Sequence, residues 1–291
     1  MDIRAILMGL AFALMWSSAF TSARMIVADA PPLSALALRF VISGALGVGI
    51  ALALGQTWRL TRAQWRSVVI FGVSQNALYL GLNFVAMRVV EASLAAIIAS
   101  TMPLMVAGIG WAVFGDRVRP LGLAGLVAGV AGVVLIMGTR LSGGVDLPGL
   151  AYCFIAALAL AVATLTVRGA SSGGNVMMIV GLQMFVGAAV LAVVALLFET
   201  GTVNFTPRLA LAFTYTTLVP GLLATVVWFL LVNRIGAVKA ATFHFLNPFF
   251  GVAVAATLLN EKLGPWDLIG VAVIAAGILA VQLSKQAVAA K

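Results

Sequence analysis

Three polar side chains interrupt one long apolar stretch of this sequence, and their chemistry suits the binding of a small molecule. Asn76, Tyr79 and Asn83 follow one another at spacings that place them on a single face of an α-helix. Lipid satisfies neither an amide nor a phenol, so this face is predicted to line a cavity inside the protein. Hydrogen bonding between neighbouring helices is the alternative explanation of the same pattern.

A similar face is predicted nearer the N-terminus, at Trp16, Ser17 and Thr21. Trp16 and Trp228 both lie within apolar stretches, whereas tryptophans that anchor membrane helices lie at the ends. Each indole could therefore stack on a substrate ring or fill buried space. The predicted substrate-binding residues are Trp16, Ser17, Thr21, Asn76, Tyr79, Asn83, Trp228, His244 and Asn247.

Arg39 and His244 are ionisable residues within apolar stretches. Arg39 could hold a substrate carboxylate through two parallel hydrogen bonds. It could instead serve a structural role, by capping backbone carbonyls or by extending toward the membrane surface, and this is the interpretation we favour. His244 could carry a proton, although a hydrogen-bonded cavity residue is the interpretation we favour. Because the chain has one histidine and one cysteine, Cys153, we expect no metal centre, no cofactor and no nucleophile–base pair. The sequence therefore does not predict an enzyme.

These side chains require a framework that spans a membrane, as the composition indicates. Of the 291 residues, 63% are hydrophobic and 9% are charged, where soluble domains have about 45–50% and ~25%. The mean hydropathy is +1.18. A spanning helix needs about 20 apolar residues, and ten segments meet this condition. We predict an all-α polytopic membrane protein with ten transmembrane helices, at roughly 4–26, 33–54, 66–87, 92–113, 121–138, 147–168, 176–198, 208–232, 238–259 and 266–284.

Lysine and arginine are distributed unevenly between the two ends of these spans. With the N-terminus inside, five of the 17 basic residues lie at outer ends, and Arg39 falls within a span. Cytoplasmic loops carry an excess of Lys and Arg, so both termini are predicted to be cytoplasmic. The net charge of +9 is thus an orientation signal, and nucleic acid is not an expected partner. The basic residues at cytoplasmic ends are Arg4, Arg59, Arg62, Arg66, Arg117, Arg119, Arg168, Arg234, Lys239, Lys285 and Lys291.

The second half of the chain repeats the first at an offset of 145 residues. Pro103-Leu104 aligns with Pro248-Phe249, and the segment 115–120 aligns with 260–265. Each unit contains five spans, and an odd number requires the second unit to enter the membrane from the opposite side. The sequence therefore predicts two inverted-topology five-helix repeats, in domains 1–140 and 146–285.

Prolines interrupt the same span of each repeat. Pro103 and Pro248 lie in mid-span, where each removes a backbone hydrogen bond to the residue four positions earlier. Matched helix breaks in two inverted repeats point to a binding site near the membrane midplane, and a pair of packing kinks is the alternative. Pro220 aligns with Gln75 and so has no proline counterpart, and it is expected to be a local kink.

The chain resembles the EamA family of the drug/metabolite transporter superfamily, and within it the YddG-type amino-acid exporters. The resemblance rests on Trp16-Ser17-Ser18-Ala19-Phe20 in span 1, on Arg39-Phe40 in span 2 and on the two proline-containing blocks that end spans 4 and 9. It covers the whole chain. It implies export of small amphipathic molecules across a bacterial inner membrane.

From the repeat and the resemblance together, we expect a secondary transporter that exports aromatic or other apolar amino acids and similar metabolites by alternating access. Transport is expected to be uniport-like, driven by the substrate gradient. A drug or metabolite efflux carrier of the same fold, proton-coupled or not, is the alternative, and a channel is a further one. The expected partners are a small-molecule substrate and the lipid bilayer, and function requires no oligomer.

Overall fold

The computed structural model describes residues 3–116, 118–142, 144, 146–166 and 173–289. In the described part of the chain, ten helical segments are long and apolar enough to cross a membrane, which confirms the predicted all-α fold with ten spans. Their boundaries agree with the predicted ones to within a few residues.

Six of the ten spans are single helices, and the other four are divided. Span 3 combines α3, a π-helical segment and α4, and span 8 combines α10, a second π-helical segment and α11. Span 4 is α5 followed by α6, and span 9 is α12, a short 3-10 segment and α13. In chain order the elements are α1 (Ile3–Asp29), α2 (Pro32–Ala53), α3 (Arg62–Phe71), π (Gly72–Leu80), α4 (Gly81–Ala86), α5 (Ala92–Ser100), α6 (Met102–Phe114), α7 (Pro120–Ser142), α8 (Leu147–Thr166), α9 (Val176–Phe198), α10 (Pro207–Leu218), π (Val219–Leu223), α11 (Ala224–Ile235), α12 (Ala237–Thr242), 3-10 (Phe243–Leu246), α13 (Asn247–Leu259) and α14 (Pro265–Ala289).

Local sequence explains where many of these helices begin and end. Four of them, α2, α7, α10 and α14, begin at a proline, which lacks the amide hydrogen that the first turn leaves unbonded. Gly115 and Asn260 are equivalent residues of the two repeats, and each ends its helix in the left-handed conformation, with φ of 68° and 55°. The repeats therefore share caps as well as spans.

Two pairs of spans form a scaffold through close backbone contact. Spans 5 and 10 approach so closely that a Cβ on Gly125 would lie 2.6 Å from the Gly277 carbonyl oxygen. The equivalent pair, Gly132 and Gly270, meets in the same way. Spans 2 and 7 pack through Gly44 and Gly181. The small residues of these spans thus serve packing within the chain, as small residues do where membrane helices approach closely.

The remaining spans form two bundles. We call spans 3, 4 and 6 the first bundle, and spans 1, 8 and 9 the second bundle. In the first bundle, α8 of span 6 packs against the elements of span 3 and those of span 4. Spans 1, 8 and 9 pack around α1. Span 1 begins and span 10 ends at the same face of the protein, which we call the terminal face. We call the opposite face the distal face, and it includes residues 30–31, 87–91, 199–206 and 260–264.

The two bundles meet through their distal halves. The contact is made by α5 against α13 and α1, with a smaller contact between α1 and α4. At its centre a Cβ on Gly251 would lie only 2.6 Å from Ala96 Cβ. Among the described residues, the equivalent elements near the terminal face (α6 with α12, and α8 with α11 and α12) form no comparable interface. The bundles are therefore closed together at the distal face.

Candidate substrate-binding site

A small cavity lies where the two bundles meet. It is lined by residues of spans 1, 3, 4 and 9 and has a volume of about 20 Å³. That volume holds about one water molecule, so in this conformation the cavity does not admit a larger molecule. Its lining consists of Trp16, Ser17, Phe20, Tyr79, Ala96, Ala99, Ser100 and Asn247.

The cavity carries polar groups that the protein leaves unbonded. Ser17 Oγ and Asn247 Oδ1 are buried and have no hydrogen-bond partner in the described part of the chain. Ser100 Oγ donates to the Ala96 carbonyl at 2.6 Å. An unpaired buried polar atom costs about 1–3 kcal/mol, so a ligand that supplied donors and acceptors here would recover that free energy. Among the described residues, no Asp, Glu, Lys or Arg belongs to the lining.

An aromatic cluster adjoins the cavity on the side of the terminal face. The Phe12 ring lies 5.8 Å from Trp16, 4.7 Å from Trp228 and 5.4 Å from His244, between ring centroids. These distances are within the usual range for interacting rings. The Asn247 amide nitrogen lies 2.9 Å from His244 Nδ1. Because an amide nitrogen only donates, this geometry makes Nδ1 an acceptor and places the proton of the neutral ring on Nε2.

The helix breaks lie beside the cavity. Pro103 and Pro248 each fall in the first turn of a new helix, α6 and α13. In the first repeat, Thr101 connects α5 to α6, and its amide donates to the Ile98 carbonyl at 3.0 Å. In the second repeat, a 3-10 turn lets the His244 carbonyl accept the Asn247 amide. The matched breaks therefore bring Ser100 and Asn247 to the cavity wall.

Pro220 lies at a helix distortion that occurs in both repeats. It lies in the π-helical segment Val219–Leu223, and the aligned part of span 3 lies in the longer π-helical segment Gly72–Leu80. Both repeats thus widen the same span at the same place. Segments of this kind occur often at functional sites.

The widened helix separates the polar residues of span 3. Tyr79 lines the cavity, and Asn83 lies one turn further on, where its Nδ2 donates to the Tyr79 carbonyl at 2.7 Å. Asn76 instead faces span 7, where its Nδ2 donates to the Gln183 carbonyl at 2.9 Å. The structure therefore places Asn76 in a helix–helix contact, away from the predicted cavity face. The cause is the π-helical segment, whose i→i+5 bonding alters the spacing of residues that share a face.

Thr21 and Arg39 lie outside the cavity lining. Thr21 is buried on α1 one turn beyond Ser17, and its hydroxyl has no partner in the described part of the chain. The Arg39 side chain is buried and lies against the π-helical segment of span 8, since a Cβ on Gly221 would be 3.3 Å from Arg39 Nη2. Its guanidinium carbon is 5.1 Å from the centre of the Phe40 ring. This placement separates Arg39 from the residues that line the cavity.

Sequence reasoning missed several residues of the site. Phe12 and Phe20 each lie about one helical turn from Trp16, and this spacing could have identified them from the sequence. The helix break at Pro103 could have identified the residues just before it as part of the site, namely Ala96, Ala99 and Ser100. A helix that is buried on all sides shows no polar face, and α5 is such a helix.

A second cavity, of about 320 Å³, opens at the distal face beside the span 1–2 turn and the loop after span 7. Its two carboxylates already have structural partners. Asp29 Oδ2 accepts the Thr206 hydroxyl at 2.9 Å, and Glu199 accepts backbone amides at the start of α2. We therefore place the candidate site in the cavity between the bundles.

Comparison with known proteins identifies relatives along the whole chain. An uncharacterized transporter, YvbV of Bacillus subtilis, is 24% identical over 94% of this chain and 90% of its own length. The uncharacterized inner membrane transporter YedA of Escherichia coli K12 is 26% identical over 98% and 93%. The aromatic amino acid exporter YddG of Ancylobacter novellus is 31% identical over 54% of each chain.

A solved crystal structure shares the fold. It is 22% identical to this chain, covers 99% of each chain and superposes with a TM-score of 0.70. The family of EamA-like transporters matches the sequence twice, over residues 3–138 and 147–283. Each match contains five of the ten spans, and the chain belongs to the EamA-like transporter family.

Proposed function

We propose that this transporter exports aromatic or other apolar amino acids, and similar small amphipathic metabolites, from the cytoplasm by alternating access. The observation that carries the proposal is the composition of the cavity between the bundles. It combines the rings of Trp16, Phe20 and Tyr79 with unbonded polar atoms of Ser17 and Asn247. The rings can pack against an apolar side chain of the substrate, and the polar atoms can form hydrogen bonds with its ammonium and carboxylate groups.

The absence of charged residues from this lining favours a substrate without net charge. A zwitterion carries both signs and can be held by hydroxyl and amide dipoles. A cationic drug would place one uncompensated charge in a low-dielectric site, which is costly. The aromatic amino acid export named for the Ancylobacter novellus relative is consistent with this preference.

The mechanism follows from the arrangement of the bundles. We place the terminal face in the cytoplasm, from the excess of Lys and Arg at that end of the spans. The structure then corresponds to a state closed toward the periplasm. Inverted repeats can exchange conformations, so the opposite state would close the bundles at the terminal face and release substrate outward.

Counterflow in proteoliposomes tests the substrate. Purified protein is reconstituted with an excess of one unlabelled amino acid inside, and uptake of labelled tracers is measured for a panel of aromatic, aliphatic and charged amino acids and cationic dyes. We expect counterflow with aromatic and large apolar amino acids. Counterflow of dyes without amino acids would replace the proposal with drug efflux, and flux that does not saturate would indicate a channel.

A further inference from the structure

We propose that Arg24 and Glu261 form a latch that holds the transporter closed at its distal face and that must release for this face to open. This inference rests on the alternating access proposed above. It concerns how the conformations are stabilised, and it is independent of which molecule is transported.

The two residues contact the connection between spans 3 and 4 at its two ends. The turn (residues 87–91) joins span 3 to span 4 in the first bundle. Glu261 follows span 9 of the second bundle, and its carboxylate oxygens accept the amides of Ala92 and Ser93 at 2.8 and 2.9 Å. Arg24 belongs to span 1 of the second bundle, and its Nη1 donates to the Met87 carbonyl.

The charges match the helix ends that they contact. Glu261 satisfies two amides at the N-terminus of α5, where a negative charge is favoured. Arg24 contacts the carbonyl that follows α4, where a positive charge is favoured. Both are hydrogen bonds to a charged partner, which are stronger than neutral ones. The second bundle therefore holds the distal turn of the first by two charge-assisted contacts.

A comparison within the same molecule distinguishes these contacts from ordinary helix caps. Glu199 binds the amides of Leu33 and Ser34 at the distal start of span 2, at 2.6 and 2.8 Å. It joins spans 2 and 7, which form a scaffold pair. At the other end of that pair, Gln56 Oε1 accepts the Met178 amide at 3.0 Å, so the scaffold is capped at both faces.

The Arg24 and Glu261 contacts, in contrast, join the two bundles. The bundles meet at the distal face, and separating them there would pull Glu261 away from α5 and Arg24 away from Met87. Contacts that exist in one state contribute to the equilibrium between states. Removing them should therefore favour the distal-open state, whereas removing the Glu199 cap should weaken both states alike.

Side-specific cysteine labelling of the full-length protein in membrane vesicles tests the latch. A Cys153→Ala background removes the native thiol, and Ser100→Cys places a reporter in the cavity. A charged, membrane-impermeant methanethiosulfonate is added from the terminal or the distal side, and the ratio of the two labelling rates is measured. The assay needs no substrate, so it succeeds or fails independently of amino-acid counterflow.

We expect Glu261→Ala and Arg24→Met each to raise the ratio of distal to terminal labelling by about tenfold or more, and Glu261→Gln, which retains one acceptor, to have a smaller effect. The control Glu199→Ala should lower the melting temperature and leave the ratio unchanged. Asp116 is the repeat equivalent of Glu261 near the terminal face, and Asp116→Ala should shift the ratio in the opposite direction or not at all.

The proposal is overturned if folded Glu261→Ala and Arg24→Met proteins keep the ratio of the parent, or if Glu199→Ala shifts it equally. If Glu261→Ala does not yield a monodisperse protein, Glu261→Gln and Arg24→Met decide the question. Unchanged labelling with normal amino-acid counterflow refutes only the latch. A shifted ratio without counterflow of any amino acid refutes only the proposed substrate.

Discussion

Adding one methyl group at Gly251 should open the distal face. Gly251 lies in α13, and an ideal Cβ on it would be 2.6 Å from Ala96 Cβ in α5. Carbon atoms pack at about 3.5–4.0 Å, so α5 and α13 must move apart by roughly 1 Å to accept Gly251→Ala. Ala96 has no rotatable bond that could relieve the clash, and the backbones themselves have to shift.

The magnitude follows from the cost of overpacking. Inserting a methyl group into a well-packed contact costs about 1–3 kcal/mol. This cost applies to the state in which the bundles are closed together at Gly251, and it vanishes once they separate. The equilibrium should therefore shift toward the distal-open state by roughly 5- to 150-fold.

Distances between spin labels on the two bundles measure this shift directly. In a Cys153→Ala background, labels at Val89→Cys and Leu258→Cys report on the distal face, since both side chains are exposed. Labels at Val113→Cys and Lys239→Cys report on the terminal face. Gly251→Ala should add a longer distance at the distal pair and a shorter one at the terminal pair.

A matched control uses the same substitution in the equivalent helix. Gly108 lies in α6, the repeat counterpart of α13, and a Cβ there would meet no atom of the described residues within 4 Å. Gly108→Ala should leave both distance distributions unchanged. If folded Gly251→Ala also leaves them unchanged, the α5–α13 contact is not a gate, and the reasoning from the closed distal interface is wrong.

Three further predictions concern the site, proton coupling and topology. Tyr79→Leu should raise the half-saturating concentration of counterflow by about 2- to 10-fold, because it removes one of the rings that line the cavity. Asn76→Leu should instead reduce the yield of folded protein, because Asn76 packs against span 7. Equal half-saturating concentrations for Tyr79→Leu and the parent would place the substrate elsewhere. An imposed pH gradient should not drive accumulation of substrate, and His244→Gln should not create or remove any pH coupling. The reason is that a proton on His244 Nδ1 would face the donor amide of Asn247. Uphill uptake that is driven by a pH gradient and abolished by His244→Gln would make His244 a proton carrier. Reporter fusions after Asp116 should be cytoplasmic and those after Glu261 periplasmic, and the same location for both would refute the inverted repeat.

The spans were predictable because their signal is local and strong. About 20 consecutive apolar residues have few options other than a spanning helix, and Pro103 and Pro248 marked the broken helices without any knowledge of packing. The cavity residues Trp16, Ser17, Tyr79 and Asn247 were predictable for a related reason. A polar group in an apolar span needs a partner, and such partners occur in the protein interior.

Two features escaped the sequence because they depend on departures from the regular helix or on tertiary contacts. The stripe of Asn76, Tyr79 and Asn83 assumed 3.6 residues per turn, and the π-helical segment Gly72–Leu80 invalidates that assumption. The charges Arg24 and Glu261 lie at the ends of spans, where solvent exposure is the simplest expectation. Their contacts with the turn between spans 3 and 4 appear only when the second bundle is packed against the first.

Under the proposed alternating access, the symmetry of the contacts distinguishes the parts expected to stay fixed from those expected to move. The scaffold obeys the repeat symmetry, since Gly125 meets Gly277 as Gly132 meets Gly270. A contact that is present in both symmetry-related copies has the same energy in both states and gives no preference to either. The bundle interface, closed by Gly251 and Ala96 at the distal face, lacks a comparable counterpart among the described residues of the terminal half. Free energy that distinguishes two conformations resides in contacts that differ between them, so substitutions in the scaffold should alter stability, whereas substitutions at the bundle interface should alter which face is open.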